Sequence, residues 1–247
     1  MDETFHIKWQ VRLAGQTTWG RAIPLVVTSR GDEQILINDL SGAVTSYSLE
    51  GRKNWSTVCR QGGGRAPLAL LYEQGPTPLI LVPGGKTLLA LNLKGEEQWQ
   101  ARLDADISTQ PLVSNVSGSR HIFCGTKSGS LYAFSARGDS LWRSSIGDEV
   151  NLFMTEMARK KQEPLLLCTG LWGNLFAIDY SGRRVWTNCF RSKTRSKPVL
   201  YDANQDGVPD ILVAAFNQHL YAFDQNGNMI DDRSEEHTSE LQSPNTI

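Results

Sequence analysis

Short apolar runs recur along the chain at a nearly constant distance, and each is followed by a segment rich in aromatic and aliphatic residues. The runs are Ile35-Leu-Ile, Leu79-Ile-Leu, Ile122-Phe-Cys, Leu165-Leu-Leu and Ile211-Leu-Val. Continuous apolar runs of this length, bounded by turn residues, are typical of β-strands that are buried on both faces. The pattern therefore predicts an all-β chain in which one group of strands is repeated.

Each full repeat is predicted to hold four antiparallel strands. The first often begins at a proline, such as Pro67 or Pro111, and proline is tolerated as the first residue of a strand. The apolar run is the second strand, and a segment such as 131–136 is the third, with alanine or serine at one fixed site. A glycine turn leads to a fourth strand that contains tryptophan. We expect the proline strand to be innermost and the tryptophan strand to be outermost.

A tryptophan marks the period of the repeat. The repeated residues are Trp9, Trp55, Trp99, Trp142 and Trp186, with spacings of 46, 44, 43 and 44 residues. About 40–50 residues is the length of one four-stranded propeller blade. The sequence thus predicts a β-propeller with about five blades in residues 1–232, as part of a ring of seven or eight.

The segment from Gly129 to Trp142, Gly-x-Leu-Tyr-Ala-Phe-x-x-x-Gly-x-x-x-Trp, resembles the PQQ-like β-propeller repeat, and the resemblance extends over nearly all of residues 5–230. Relatives of this kind include quinoprotein dehydrogenases, an outer-membrane assembly lipoprotein and sensor domains joined to kinases. The dehydrogenases carry two adjacent cysteines that stack on the cofactor, and this sequence has no such pair. The resemblance therefore implies a propeller fold without PQQ-dependent catalysis.

Composition narrows the range of partners. The formal net charge is −1, so no overall field attracts nucleic acid, and no run of 18 apolar residues is present to span a bilayer. Cys124 and Cys168 occupy corresponding positions in two repeats where other repeats have Ile, Leu or Val. We expect these cysteines to serve as small core residues, not as metal ligands or redox groups.

One loop has the composition of a calcium site. Asp202, Asn204, Asp206 and Asp210 offer side-chain oxygens around Gly207, and hard oxygen ligands are what Ca²⁺ prefers. The loop resembles the FG-GAP calcium loop of integrin-type propellers, which implies that Val208 adds its backbone carbonyl. A solvated Asx turn without metal is the alternative. We expect a structural Ca²⁺ at this loop.

Several polar and aromatic residues fall on loops that should share one face of the propeller. The candidates for binding are Trp19, Arg65, Trp172, Arg195 and Asn217. Trp19 and Trp172 lie outside the repeat register, and exposed tryptophan favours contact with a ligand or a protein. The alternatives are that these rings are buried over a neighbouring blade and that the basic segment 191–197 is an ordinary solvated loop.

No catalytic motif emerges, because neither a nucleophile elbow nor a histidine triad is present. We expect a monomeric, non-enzymatic binding or scaffold domain that engages a protein or a glycan through one loop face. The alternatives are a fragment of a polysaccharide-active or quinoprotein-like enzyme and the sensor propeller of a signalling protein.

Residues 233–247 depart from the repeat. The fifth repeat should place tryptophan at position 231, where Asp231 stands instead. Residues 233–243, Arg-Ser-Glu-Glu-His-Thr-Ser-Glu-Leu-Gln-Ser, resemble the translation of a common sequencing adapter. We therefore expect a disordered, non-native tail after residue 232, where the propeller is interrupted. Truncation at the start of the chain is a second expectation, so the sequence does not predict the cellular compartment of the protein.

Overall fold

The computed structural model describes residues 8–13, 25–29, 32–59, 66–73, 77–116, 118–160, 162–203 and 205–230. Within these residues the regular elements are all strands, and no helix is long and apolar enough to cross a membrane. The strands are β1 Leu25–Ser29, β2 Asp32–Asn38, β3 Ala43–Tyr47, β4 Lys53–Val58, β5 Ala69–Leu71, β6 Leu79–Gly84, β7 Thr87–Leu91, β8 Glu97–Arg102, β9 Leu112–Val116, β10 Ser119–Gly125, β11 Ser130–Ser135, β12 Ser140–Ser145, β13 Val150–Arg159, β14 Gln162–Gly170, β15 Asn174–Ile178, β16 Arg184–Cys189, β17 Val199–Tyr201, β18 Asp210–Ala214 and β19 Leu220–Phe223.

Consecutive strands pair antiparallel to form five separate sheets. Four sheets have four strands, in the orders β1-β2-β3-β4, β5-β6-β7-β8, β9-β10-β11-β12 and β13-β14-β15-β16, and the last has β17-β18-β19. Met229 forms a bridge back to Phe223 where a fourth strand of the last sheet would begin. The predicted propeller of four-stranded antiparallel blades is confirmed. The predicted tail, residues 233–247, lies outside the described residues.

The tryptophan strands lie at the outer edge of the blades, as predicted. The strands β4, β8, β12 and β16 are the most exposed of their sheets and alternate between exposed and half-buried residues. Ala90, Ala133 and Ala177 stand directly opposite the tryptophans of their own blades, and all three are fully buried. The small residue is therefore needed because a larger side chain at this site would displace the indole.

Each tryptophan also joins its blade to the next one. The indole of Trp142 packs on Gly182 of the following blade, and its Nε1 donates a hydrogen bond of 2.8 Å to Tyr180 O. Trp55 is bound in the same way to the carbonyl of Leu93. Trp9 makes this contact with the carbonyl of Leu49 in the first blade, at 2.7 Å.

The core lies between consecutive blades, where one sheet faces the next. Between the third and fourth blades, Phe123 packs with Met154, Cys168 and Phe176. Cys124 lies in the corresponding layer between the second and third blades. Both cysteines are fully buried and free, so the predicted packing role is confirmed.

Candidate functional site

Two sets of loops meet on one face of the blades. They are the connections from the outer strand of one blade to the inner strand of the next and the turns between second and third strands. The amide of Leu171 donates to Glu149 O at 2.9 Å, and the amide of Phe216 donates to Lys193 O at 2.9 Å. We call the surface formed by loops 103–111, 146–149 and 190–198 and turns 126–129, 170–173 and 215–219 the loop face.

Trp172 stands at the centre of a tight turn on the loop face. The turn is closed by a hydrogen bond from Gly173 N to Gly170 O, and Gly173 has a φ of 92°. The Trp172 amide donates to the carboxylate of Asp148, which is itself buried. Trp172 as a residue remains 61% exposed, and the Lys193 ammonium lies 4.3 Å from its ring centroid. The structure thus exposes this ring instead of burying it over the neighbouring blade.

The loop between β16 and β17 separates its basic residues from its hydroxyl residues. Lys193, Arg195 and Lys197 are exposed, whereas Thr194 is fully buried and Ser196 is half-buried. Exposed and covered residues alternate along 193–197, so the three cations share the solvent-facing side of the loop. We call Lys193, Arg195 and Lys197 the basic edge.

Hydrogen bonds fasten the inner side of this loop to the fourth and fifth blades. The Thr194 hydroxyl donates to Ala214 O at 2.6 Å, and the side-chain amide of Asn151 donates to Thr194 O at 2.9 Å. The Thr169 hydroxyl donates to Ser196 O at 3.0 Å. The backbone that carries the basic edge is therefore held on the blades. The sequence alone did not distinguish this arrangement from an ordinary solvated loop.

Asn217 lies in the turn next to the basic edge. Its amide N–H donates to the Ser192 hydroxyl at 3.0 Å, and its side-chain amide donates to the Tyr221 hydroxyl at 2.7 Å. The structure thus brings Trp172, Asn217 and Arg195 onto one part of the loop face. The other two binding candidates, Trp19 and Arg65, lie outside the described residues.

A second polar group on the loop face was missed by sequence reasoning. The Asp104 carboxylate accepts hydrogen bonds from the guanidinium of Arg143 at 2.5 Å and the hydroxyl of Ser130 at 2.8 Å. Burial raises the pKa of Asp104, but bonds from Ser130, Ser128 and Arg143 outweigh that effect and hold the pKa below its usual range. These residues come from one loop, one turn and two strands, so no local motif could have identified them.

The loop between β17 and β18 contains the residues predicted to bind calcium. Asp202 accepts the amide N–H groups of Asp206, at 3.1 Å, and Gly207, at 2.9 Å. The Asp206 carboxylate accepts the amide N–H of Val208 at 2.8 Å, and Asp210, only 2% exposed, accepts the amide of Ala203 at 2.9 Å. The carboxylates therefore point into the loop.

Asn204 lies outside the described residues, which include the other four predicted ligands. Among the described residues, no three His, Cys, Asp or Glu side chains are grouped as a metal site. The amide bonds also fit the alternative of an Asx turn. A carboxylate has about four lone-pair sites, so the bonds to Asp202 and Asp210 leave room for a cation. The calcium hypothesis stays a prediction.

Comparison with known proteins identifies the family. The model of the family described as outer membrane protein assembly factor BamB matches residues 6–225. The chain belongs to the BamB family. No curated protein matches this BamB-family chain by sequence. The family match agrees with the resemblance to PQQ-like repeats and covers the five sheets.

Solved structures show the same fold at low sequence identity. BamB from Moraxella catarrhalis matches with a TM-score of 0.58 and 16% identity, over 83% of this chain and 62% of that one. Two structures of BBS1N in complex with ARL6DN are also similar. The mercury-soaked one has a TM-score of 0.53, 14% identity and coverage of 85% and 64%, and the lead-soaked one has 0.56, 13% and coverage of 89% and 65%. This BamB-family chain therefore spans less than two thirds of these structures.

A crevice of about 530 Å³ opens between the first and second blades of this BamB-family chain. Cys59, Leu89 and Glu97 are among its lining residues. The other described blade interfaces carry larger side chains at the positions of Cys59 and Leu89. These are Leu103, Ile146 and Phe190 in place of Cys59, and Tyr132, Phe176 and Tyr221 in place of Leu89. The crevice thus lies where Cys59 and Leu89 are smaller than their counterparts at the other described interfaces.

Proposed function

We propose that this chain is a non-enzymatic, protein-binding propeller domain that uses the loop face as its contact surface. The observation that carries the proposal is the exposed indole of Trp172, with the Lys193 ammonium above its ring. Blade packing does not require this tryptophan, because the repeat tryptophans hold the blades together. Tryptophan is among the residues most enriched in binding hot spots.

The rigidity of the surface supports the proposal. The turn that carries Trp172 is bound to Asp148 and to Glu149 O, and the neighbouring loop is bound to Asn151 and Thr169. A contact surface that is already ordered loses little conformational entropy when a partner binds. The loop face therefore favours recognition of a partner without a large rearrangement.

The comparisons are consistent with this function at the level of the fold. The matched family is described as an assembly factor, and BBS1N was crystallised in complex with ARL6DN. Both descriptions concern proteins that associate with other proteins. Because identity to the solved structures is only 13–16%, they support the class of function and not a particular partner.

Peptide selection tests the proposal directly. Phage-displayed peptides selected on the wild-type protein should bind the Trp172→Ala variant at least about tenfold more weakly, because a hot-spot aromatic is lost. Affinities would be measured by biolayer interferometry with synthetic peptides. The same variants would be applied to a glycan array, since a sugar ring is the other ligand that stacks on an exposed indole.

Val185→Ala is the matched control, because Val185 is an exposed apolar residue on the outer strand β16, away from the loop face. The control should leave the affinity for the selected peptides unchanged. Equal peptide binding by wild type and Trp172→Ala would contradict the proposal, and binding to glycans alone would replace a protein partner with a carbohydrate.

We also propose that loop 202–210 binds one structural Ca²⁺. The proposal is supported by the buried carboxylate of Asp210 and by the inward orientation of Asp202 and Asp206. Asp206→Asn keeps an oxygen that can accept the Val208 amide, so the turn is preserved while one charge is removed. Calorimetry should detect Ca²⁺ binding to wild type and clearly weaker binding to this variant. Equal binding, or none by wild type, argues for the Asx turn.

A further inference from the structure

In the basic edge, every second residue of an ordered loop carries a positive charge. Lys193, Arg195 and Lys197 are exposed, and the residues between them face the blades. Among the described residues, the ion pairs are Lys127 with Asp106, Arg143 with Asp104 and Arg183 with Asp179, so this edge supplies none of them. Arg195 and Lys197 are therefore available to a partner, and Lys193 is held over the Trp172 ring with its charge unpaired by any carboxylate of the described residues.

The spacing of these cations restricts the shape of that partner. A chain in extended conformation advances about 3.3 Å per residue, so side chains two positions apart repeat at about 6.6 Å. An extended peptide has the same repeat, and carboxylates at its alternate positions would match the cations one to one. A helical peptide matches this spacing only with acidic groups four residues apart, at about 6 Å, and needs about nine residues to reach three cations where an extended peptide needs five.

The anchoring of the loop makes this spacing persistent. Thr194 and Ser196, which alternate with the cations, are bound to Ala214 and Thr169. Pro198 accepts a hydrogen bond of 2.6 Å from the Thr155 hydroxyl through its carbonyl. Because the backbone is fixed on both sides of Arg195, the Cα positions from which the three cations extend keep their spacing.

The charge of the whole chain favours a short acidic peptide over a nucleic acid. The net charge is −1, whereas nucleic-acid-binding domains are usually strongly basic. The basic edge is local, and Trp172 beside Lys193 adds an apolar contact at one end of it. A peptide with alternating acidic side chains and an aromatic or aliphatic residue at one end combines both features.

We propose that the basic edge binds an extended peptide strand whose carboxylates lie at alternate positions. The inference rests on the proposed function, since it names the chemistry of the partner for the same loop face. Lys193, Arg195 and Lys197 contact the acidic side chains, and Trp172 contacts the apolar residue at the end of the strand.

Fluorescence anisotropy with two labelled octapeptides tests the match in spacing. One peptide alternates Thr with Glu, and its isomer carries the same Glu residues in one block. The alternating peptide should bind about tenfold more tightly at low salt, because only its carboxylates reach all three cations. Equal affinity of the two isomers would overturn the inference, even if both bind.

Two variants of equal charge test the location of the site. Lys193→Gln, Arg195→Gln and Lys197→Gln together should weaken the alternating peptide about tenfold. Lys53→Gln, Lys94→Gln and Arg137→Gln together make the same change in net charge at exposed positions away from the basic edge and should leave the affinity unchanged. Equal losses of affinity in both variants would mean that the charge of the whole protein determines peptide binding, and would overturn the proposed location of the site.

Competition separates a peptide from other polyanions. Heparin and oligodeoxythymidine should compete poorly at equal charge concentration, and stronger competition by either would assign the edge to that polymer instead. The proposed function is contradicted by a different result: library-selected peptides that bind Trp172→Ala with the same affinity as wild type. Selected peptides that need Trp172 but lack alternating acidic residues would overturn the inference alone.

Discussion

At the scale of single residues, a glycine decides how closely one blade approaches the next. A Cβ atom at Gly138 would lie 2.6 Å from the ring of Trp99 in the preceding blade, and Gly138 has a φ of 86°. Gly182 faces Trp142 in the same way. Glycine at these turns thus satisfies two demands, a left-handed backbone and an empty space beside the indole.

Two substitutions in the third blade separate these demands. Gly118 also has a positive φ, 84°, but a Cβ atom there would meet nothing within 4 Å. Gly118→Ala should lower the free energy of unfolding by about 1 kcal/mol, which is the cost of a left-handed non-glycine residue. Gly138→Ala should cost about 3 kcal/mol, because the Trp99 ring must also move. Urea unfolding measures both, and equal losses would contradict the packing role of Gly138.

The sequence predicted turns at Gly138 and Gly182 but assigned these glycines no partner. The tryptophan four residues later is close in the chain, whereas the ring that contacts each glycine belongs to the repeat before it. For the candidate site, the sequence identified Trp172 because it breaks the register, but not its exposure. The alternation Arg-Ser-Lys-Thr-Arg-Ser-Lys at 191–197 was the readable signal of the basic edge. Its hydrogen bonds to Asn151 and Thr169 involve distant strands and could not be predicted.

At the scale of elements, the third and fourth strands of each complete blade share an irregularity. The register shifts immediately after the small residue that faces tryptophan, as between Ala133 and Phe134 and between Ala177 and Ile178. Such a bulge increases the local twist of the strand pair. The outer strand is thereby bent at the point where the indole reaches the next blade.

The tryptophan joints differ in one hydrogen bond, and this difference is testable. Trp142 Nε1 donates to Tyr180 O, whereas Trp99 Nε1 is buried with no hydrogen-bond partner in the part of the chain that the structure describes. Trp142→Phe leaves a carbonyl without its donor, but Trp99→Phe removes an unsatisfied donor. We expect Trp142→Phe to destabilise the protein by about 1–3 kcal/mol more than Trp99→Phe. Thermal unfolding of both variants would show this, and the reverse order would mean that Trp99 has a partner in solution.

The strands themselves were predictable, because their apolar runs and turn glycines are local signals. Counting back from the turn glycine matches Cys124 with Leu81 in the second repeat, and the structure shows that this match is wrong by one residue. Val82 pairs with Leu89 as Cys124 pairs with Tyr132, since the connection between paired residues Pro83 and Leu88 is one residue shorter than that between Gly125 and Leu131. A count from one glycine cannot detect a deletion in the preceding turn.

At the scale of the whole molecule, buried thiols are distributed over successive blade interfaces. Cys59, Cys124 and Cys168 belong to three different core clusters. Burial raises the pKa of the Cys59 thiol to about 11, and Glu97 adds to this effect. Burial likewise raises the pKa of Cys168 to about 12, with a smaller contribution from Asp148. The pKa of Cys124 is raised by burial as well.

These pKa values predict a loss of stability in alkaline solution. The folded thiols have a higher pKa than the unfolded ones, near 9, so their contribution is complete below pH 9 and decreases as the pH rises toward 11–12. At pH 10 each buried thiol should lower the free energy of unfolding by about 1.4 kcal/mol. Urea unfolding at pH 8 and pH 10 tests this, and Cys168→Val should reduce the difference by about one third. A difference that persists in full in Cys168→Val would assign it to other groups.

The architecture as a whole was predictable because each blade contacts mainly itself and its neighbours. A short period in the sequence therefore contains most of the information on the fold. The loop face draws on loops from several blades, and the same period gives no guide to which loop residues meet. Asp104 and Arg143 illustrate the limit, since they are 39 residues apart and belong to different blades.

Each repeat tryptophan contacts the following blade, so its indole can serve as an intrinsic fluorescent probe of that contact. Each described contact between blades has one repeat indole, and Trp142, for example, reports only on the joint with the fourth blade. Trp172 stands apart on the loop face, under Lys193. Variants that keep a single tryptophan would let emission spectra distinguish the opening of one joint from the arrival of a ligand, in the same molecule and without an added dye.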